Sequence, residues 1–284
     1  MQRDEITVAE VLRERLDAFT ATERKAAHVL LTNYPIVGLE TASEFARIAA
    51  ISAPSVLRFI SKLGFSSYLD FQRQIRREIN AQIQPPLEKA GHGDADNSAA
   101  AFLHDFAEAV AHNIVQTVRH LPAKDFEAAT ALLSDPERRI FLIGGRFTDT
   151  IARNTAVHLR VVRPNAFHVA GQPITWRDQI LEMNTDDIVV IFDVRRYQED
   201  LAEFARQVHE RGAVIILLTD QWLSPITRFA AHTLSARIAV PSNWDSSGAL
   251  LTIAEALIAS VTRKLWASAA KRIAQVEELR PKPR

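Results

Sequence analysis

Residues 43–65 read SEFARIAAISAPSVLRFISKLGF. The stretch parses as two short helices around a tight turn. Glu44 to Ala49 forms the first, with Phe45 and Ile48 inward at spacing i, i+3. Ala50 and Ile51 make the turn. Ser52 is a natural N-cap, because its hydroxyl accepts from the open amides of the next turn. Pro54 lies in that first turn, where a missing N–H costs nothing. Val56, Phe59, Ile60 and Leu63 then recur at helical spacing, and Gly64 stops the helix. Ser55, Arg58, Ser61 and Lys62 fall off that apolar stripe. The pattern predicts a helix-turn-helix whose second helix is short, polar-fronted and basic, as a DNA major groove requires. An ordinary helical hairpin is the plainer reading of the same spacing.

The surrounding helices extend the pattern. Ile6 to Phe19 carries Val8, Val11, Leu12, Leu16 and Phe19 on one face and predicts one amphipathic helix. A second follows, capped by Thr20 or Thr22, buried through Ala26, Ala27, Val29, Leu30 and Leu31, and ended by Pro35. Tyr68 to Ile83 predicts another, with Leu69, Phe71, Ile75 and Ile79 inward and Arg73, Arg76 and Arg77 outward. The string ASEFARIAAISAPSVLRFISKLGFSSYLDFQ resembles the N-terminal domain of the RpiR (MurR/RpiR) family of bacterial transcriptional regulators. FTATERKAAHVLLTNYP before it matches that family's opening helices. The resemblance spans about residues 15–80, and its RF..KLGF core is specific. A second resemblance, over residues 100–265, is to the SIS (sugar isomerase) domain that follows in the same family.

Lys and Arg total 34 and so do Asp and Glu, so no global charge advertises nucleic acid. A DNA-binding role must rest on a local patch. Between Thr41 and Ile83 the basic residues Arg47, Arg58, Lys62, Arg73, Arg76 and Arg77 face only Glu44, Asp70 and Glu78 as acids. That surplus would supply salt-dependent phosphate contacts. The absence of cysteine excludes disulfides, thiolate metal sites and a cysteine nucleophile. No run reaches the length of a membrane span, and the charged start at Arg3, Asp4 and Glu5 has no signal-peptide core. A cytoplasmic protein with no membrane partner is expected.

Residues 84–98 (QPPLEKAGHGDADNS) break all periodicity and read as a linker. This divides the chain into a DNA-binding domain at 1–83, the linker at 84–98 and a second domain at 99–284. A long helix is expected from Ser98 to Arg119, and another from Phe126 to Leu133. Apolar runs at Ile140–Ile143, Phe167–Val169, Ile188–Phe192, Val214–Leu218 and Thr233–Ala236 then alternate with helical patterns at Thr148–Val161, Ile174–Met183 and Gln198–Arg211. Such alternation implies a five-stranded parallel sheet flanked by helices, an α/β domain behind an all-α one. A final helix runs from Ser246 to about Ala267, apolar enough to pack centrally or between subunits. Arg280 to Arg284 reads as a frayed tail.

In an open parallel sheet, ligands bind beyond the carboxyl ends of the strands. Three loops qualify. Gly144-Gly145-Arg146-Phe147-Thr148 enters a helix N-terminus, where amides and Arg146 favour an anion. It lacks the three-glycine spacing of a dinucleotide site. Asp193-Val194-Arg195-Arg196-Tyr197-Gln198 also enters a helix, and residues 241–247 (PSNWDSS) precede the last long one. The resemblance implies that the first two loops cradle a sugar phosphate, the second through a serine-rich S-x-S-G-x-T string. Here Asp193, Arg195, Arg196 and Gln198 replace its Ser, Ser, Gly and Thr. Arg195 and Arg196 can bind a carboxylate or phosphate. Asp193 and Asp245 can receive an amine or hydroxyls, and Tyr197 or Trp244 can stack on a planar group. The opposing reading pairs the arginines with Asp178, Glu199 or a partner subunit and leaves the pocket dead. The expected ligand set is Gly145, Arg146, Thr148, Asp193, Arg195, Arg196, Tyr197, Ser242, Asp245 and Ser246.

The histidines predict no metal, because His104, His112 and His120 miss the i, i+4 spacing of a metal pair, and His158, His168 and His209 have no acidic neighbour at ligand spacing. Trp176, Trp222 and Trp266 read as packing residues. No cofactor is implied. The expected protein is a regulator, by resemblance a repressor. Ser52, Ala53, Ser55, Arg58 and Lys62 would face a double-stranded operator, and the SIS domain would sense a small anionic metabolite. By the same resemblance it forms a homodimer or homotetramer, and a palindromic operator would mirror a two-fold. The rivals are a sugar-phosphate isomerase, which lacks a poised histidine here, and a regulator whose SIS domain serves assembly alone.

Overall fold

The structure is a computed structural model, and it describes residues 6–89 and 98–279. Charged Arg3, Asp4 and Glu5, most of the expected linker and the tail at 280–284 lie outside the described residues.

The first domain is helical: α1 Val8–Glu14, α2 Ala21–Thr32, α3 Ile36–Leu39, α4 Ala42–Ile48, α5 Ala53–Lys62 and α6 Tyr68–Ile83. Side-chain caps set most of the starts. Thr7 and Thr20 close capping boxes with Glu10 and Glu23, and Thr41, Ser52 and Ser67 each accept from the amide three residues on. The core is built on Phe45, Phe59 and Phe71, with Leu12, Leu30, Ile60 and Ile75 around them. Ala50 turns the chain between α4 and α5 at φ 51°, and Gly64 ends α5 at φ 98°.

Three expectations here are corrected. Ile6–Phe19 is not one helix, since α1 stops at Glu14 and a 3-10 turn, Leu16–Ala18, follows. The second helix ends at Thr32, before Pro35, which instead opens the one-turn α3. Leu69 is 51% exposed. It lies two residues, about 200° of helix, from Phe71, and the buried face of α6 runs through Phe71, Ile75 and Glu78.

After the short α7 (Pro86–Lys89) comes the second domain. It holds α8 Ala99–His120, α9 Ala123–Leu133, β1 Ile140–Gly144, α10 Asp149–Val162, β2 Ala166–His168, α11 Pro173–Glu182, β3 Ile188–Asp193, α12 Glu199–Glu210, β4 Val214–Asp220, β5 His232–Ala236, α13 Gly248–Lys264 and α14 Trp266–Glu278. The sheet is parallel throughout, in the order β2-β1-β3-β4-β5. Successive strand residues serve opposite faces. Leu142, Val190, Phe192 and Leu218 join the core under α9, α10, α13 and α14, while Phe141, Ile143, Ile191 and Leu217 join the one under α11 and α12. Strands buried on both faces account for the unbroken apolar runs. The final helix breaks at Leu265 into α13 and α14, and Trp266 is 60% exposed rather than packed. Among the described residues no helix is long and apolar enough to cross a membrane.

The two domains meet where β4 and β5 end. Leu223, just past β4, is buried in the core of the first domain. Arg237, just past β5, donates to the carboxylate of Glu10 on α1, from Nε at 2.9 Å and from Nη2 at 3.1 Å. Arg13 reaches Ser235 at 2.8 Å, and the Thr7 hydroxyl donates to the Gln221 carbonyl at 3.3 Å. Glu78 of α6 is buried beside them and accepts from the Val8 amide at 2.9 Å, from Gln74 and from the Tyr34 hydroxyl. Burial pushes its carboxyl up to about 7 against those donors.

Candidate DNA interface and effector site

Helix α5 buries Val56, Phe59 and Ile60 and turns Ser52, Leu57, Arg58, Ser61 and Lys62 to solvent, with Ala53 and Ser55 half-buried. The hydroxyls of Ser52 and Ser55 lie 2.8 Å apart, and Arg58 donates to Ser55 at 3.0 Å. These residues form one polar front at the start and middle of the helix. Lys62 stands apart from them. Its ammonium is held by Glu23 at 2.8 Å and by the Ala18 carbonyl, over the ring of Phe19. A phosphate would have to draw it from that carboxylate, whereas Arg58 gives up only a hydroxyl. Leu57 sits on the front at 47% exposure and was missed, because the helical count assigned no role to an apolar residue off the buried stripe.

At the sheet end, Gly144 allows a close backbone approach that no side chain would fit, and Gly145 leaves room for the Gln198 amide. A Cβ on Gly144 would lie 2.5 Å from the Asp149 amide nitrogen, and one on Gly145 would lie 2.7 Å from Gln198 Oε1. The amides of Gly145 and Arg146 are taken. Gly145 donates to the Phe192 carbonyl and to Thr148 Oγ1, and the Arg146 amide donates to Gln198 Oε1 at 2.5 Å. The Thr148 hydroxyl is buried and donates inward to Phe192 at 2.6 Å. Gln198 thus fills the cradle with its own amide oxygen.

Asp193 is turned inward as well. It accepts from Ser224 at 2.5 Å in a buried site, and burial pushes its carboxyl up to about 7, with the nearby charge of Asp220 adding to the rise. Asp220 organises the loop between β3 and α12. It accepts from the Arg195 amide at 2.6 Å, the Tyr197 hydroxyl at 2.7 Å and the Trp222 amide at 2.9 Å, and burial raises it to about 6 despite these donors. Burial and the Asp220 charge hold the Tyr197 phenol well above its ordinary range. Tyr197 is therefore committed to the loop. The Arg195 guanidinium is bidentate to Asp245, donates to the Ala81 carbonyl at the end of α6, and stacks on Trp222 at 4.4 Å. Its partner within the chain is Asp245 rather than Asp178 or Glu199. Arg196 is exposed. Ser242 and Ser246 accept from the amides of Trp244 and Gly248, each at 3.2 Å. Trp244 is exposed and meets Phe147 edge-on. The three loops do converge, but most of their polar groups satisfy one another.

Asp220, Trp222 and Ser224 were missed as members of this cluster, and Gln198, placed in the second loop, was left out of the ligand set. A strand-end position was the available signal for Asp220 and its neighbours, since Thr219-Asp220 closes β4. Two histidine readings are also corrected. His168 meets Asp149 at 2.8 Å across β2 and α10, and His104 faces Glu108 one turn on, with Asp105 beside them, on an exposed face.

Residues 6–82 match the family profile described as the helix-turn-helix domain, rpiR family, and residues 132–260 match that of the SIS domain. The chain is 25% identical over 260 residues to the HTH-type transcriptional regulator HexR of Pseudomonas aeruginosa, covering 89% of this chain and 88% of HexR. Two solved structures share the fold. The sugar isomerase domain of an RpiR transcription factor from Sphaerobacter thermophilus aligns at TM-score 0.58 and 21% identity, over 62% of this chain and 98% of that one. NanR of Vibrio vulnificus, solved in complex with ManNAc-6P, aligns at TM-score 0.55 and 16% identity, over 95% and 97%.

Proposed function

The chain belongs to the rpiR family of helix-turn-helix transcriptional regulators that carry a SIS domain, and on that premise we propose how it works as one. Helix α5 enters the major groove of a double-stranded operator. Arg58 leads the contacts, Ser52, Ala53, Ser55 and Leu57 lie beside it, and Lys62 joins once it leaves Glu23. The exposed Arg73, Arg76 and Arg77 of α6 supply phosphate contacts. The observation that carries this reading is the polar front of α5 set on a fully buried apolar back. The protein acts as a repressor and as a homodimer or homotetramer, with exposed Val115 and Val118 of α8 available for subunit contact.

The SIS domain senses a small anionic metabolite. Its signal reaches DNA through the ends of β4 and β5, which hold α1, and through Arg195, which holds α6 at Ala81. A ligand shifts this docking only if it binds one arrangement better than another. NanR was solved with a sugar phosphate; in this chain Gln198 and the Arg195–Asp245 pair occupy the loops at the strand ends. Gly145, Arg146, Thr148, Asp193, Arg195, Arg196, Tyr197, Ser242, Asp245 and Ser246 therefore serve first as the relay, and an anion enters by displacing Asp245 or Gln198. The isomerase reading needs a solvent-facing base at the sheet end, and Asp193 is committed to Ser224. The test is operator binding by gel shift with and without metabolite, in wild type and Arg195→Met. A metabolite effect of equal size in both would refute the relay.

A further inference from the structure

The front of α5 carries two exposed apolar residues among its polar ones. Pro54 and Leu57 stand three positions apart, so they are neighbours on one side of the helix. Leu57 is 47% exposed and belongs neither to the core of the first domain nor to the residues packed against it. A single exposed leucine is ordinary. Its place here is not, because successive helical residues are turned by about 100°. With Val56, Phe59, Ile60 and Leu63 buried, the outward line of α5 runs through Pro54 and Ser61, both exposed. Leu57 and Arg58 flank that line, one on each side, and turn outward by a similar amount. Pro54 and Leu57 also lie in the first half of the ten-residue helix, the half that meets base edges in a helix-turn-helix.

We propose that Leu57, with Pro54 beside it, reads the 5-methyl group of a thymine in the major groove, next to a guanine read by Arg58. This rests on the regulator reading above and names the kind of sequence that α5 selects. The mixed chemistry of the front is what fits this occupant. Thymine carries the only methyl group on the base edges of the major groove, and guanine offers the paired acceptors that suit arginine. A duplex therefore satisfies an apolar and a cationic side chain on consecutive residues. An apolar protein surface laid on Leu57 would cover Arg58 as well and strip its water without return. Arg58 is steadied by its bond to Ser55, which lies on the far side of it from Leu57. Side chains about 100° apart on a helix about 10–12 Å across are separated by about 8–9 Å, or two to three base steps of about 3.4 Å. The thymine therefore lies within about three base pairs of the guanine.

The experiment uses the full chain and the duplex that it enriches from a random pool. Each thymine of that duplex is replaced in turn by deoxyuridine, which pairs in the same way and lacks only the methyl group. Burial of one methyl is worth about fourfold in affinity. Wild type is expected to bind about fourfold more weakly when one thymine of a half-site, close to a guanine, loses its methyl, and to ignore most other replacements. Leu57→Ala should bind the thymine duplex about fourfold more weakly than wild type does, and should no longer distinguish it from the deoxyuridine duplex. Leu57→Met, which keeps an apolar tip, should retain the distinction. The melting temperature of Leu57→Ala should match that of wild type, because the side chain lies outside the core.

An enriched motif with no thymine near a guanine would overturn the proposal. So would indifference of wild type to every methyl, a methyl effect that survives intact in Leu57→Ala, or equal weakening by Leu57→Ala on both duplexes. In each of these cases a loss of affinity by Arg58→Ala on the enriched duplex would leave the regulator reading standing. Failure to enrich any duplex would overturn that reading and the proposal together.

Discussion

Arg195 and Asp245 face each other as a two-pronged ion pair, with Nε donating to Oδ2 at 2.7 Å and Nη2 to Oδ1, while Nη1 of the same guanidinium donates to the Ala81 carbonyl. One side chain therefore joins the third strand's loop, the segment before α13 and the last turn of α6. Its surroundings are unequal. The side chain of Arg195 is 5% exposed and that of Asp245 is 23% exposed. Asp245→Asn strands a buried cation, which costs about 3–5 kcal/mol, whereas Arg195→Met leaves a carboxylate that water can reach. Urea unfolding should show the larger loss for Asp245→Asn, and the double variant should lose less than the sum of the two. Equal losses would contradict the asymmetry.

Glu10 and Arg237 form the deeper pair between the domains, with both side chains under a tenth exposed. Glu10 also closes the capping box on Thr7. Glu10→Gln keeps the cap and removes the charge, leaving Arg237 buried and unpaired. A loss of about 3 kcal/mol is expected, together with separation of thermal unfolding into two transitions. Pairing Glu10→Gln with Arg237→Met should recover much of the stability.

Stability should fall as pH rises from about 5 to 7. Glu78 binds its proton more tightly folded, near 7, than unfolded, near the ordinary value of 4.5. Its stabilising contribution is complete below the unfolded value and is lost as pH rises through the folded one. Asp193, raised to about 7, and Asp220, raised to about 6, act in the same direction. Each group adds up to about 1.4 kcal/mol per pH unit within its window. Denaturant midpoints across this range should decline, and Glu78→Gln should flatten the decline. A rise in midpoint from pH 5 to 7 would refute the assignment.

Ala50 holds φ 51° in the turn of the helix-turn-helix, where a Cβ is strained. Ala50→Gly relieves about 1–2 kcal/mol of that strain and adds about 0.4–1 kcal/mol of unfolded-state freedom. A net gain of about 0.5–1 kcal/mol is expected by urea unfolding. A loss would mean that the methyl group packs usefully.

Local chemistry was legible in the sequence. Ser52 caps α5, Tyr68–Ile83 is a helix with those bounds, and the runs at Ile188 and Val214 are central strands. Each rests on residues a few positions apart. What escaped depends on distant partners. Glu10 was given no role and Glu78 was counted only among the acids of the first domain, yet both are buried, and Arg237, which pairs with Glu10, lies 227 positions from it. Arg195 was recognised as unusual, but its partner Asp245 is 50 positions on and its contact at Ala81 lies in the other domain. The break at Leu265 carries neither glycine nor proline to announce it.

The most direct test of DNA recognition through α5 is selection of duplexes from a random pool by the full-length protein, followed by affinity measurements on the enriched sequence over a range of salt. Wild type should enrich one motif and bind it about 10³-fold or more tightly than random duplex, with affinity falling steeply as salt rises. Arg58→Ala should lose about 1–3 kcal/mol on that motif while random-sequence binding changes far less. No enrichment, or equal loss by Arg58→Ala on both duplexes, would contradict the account.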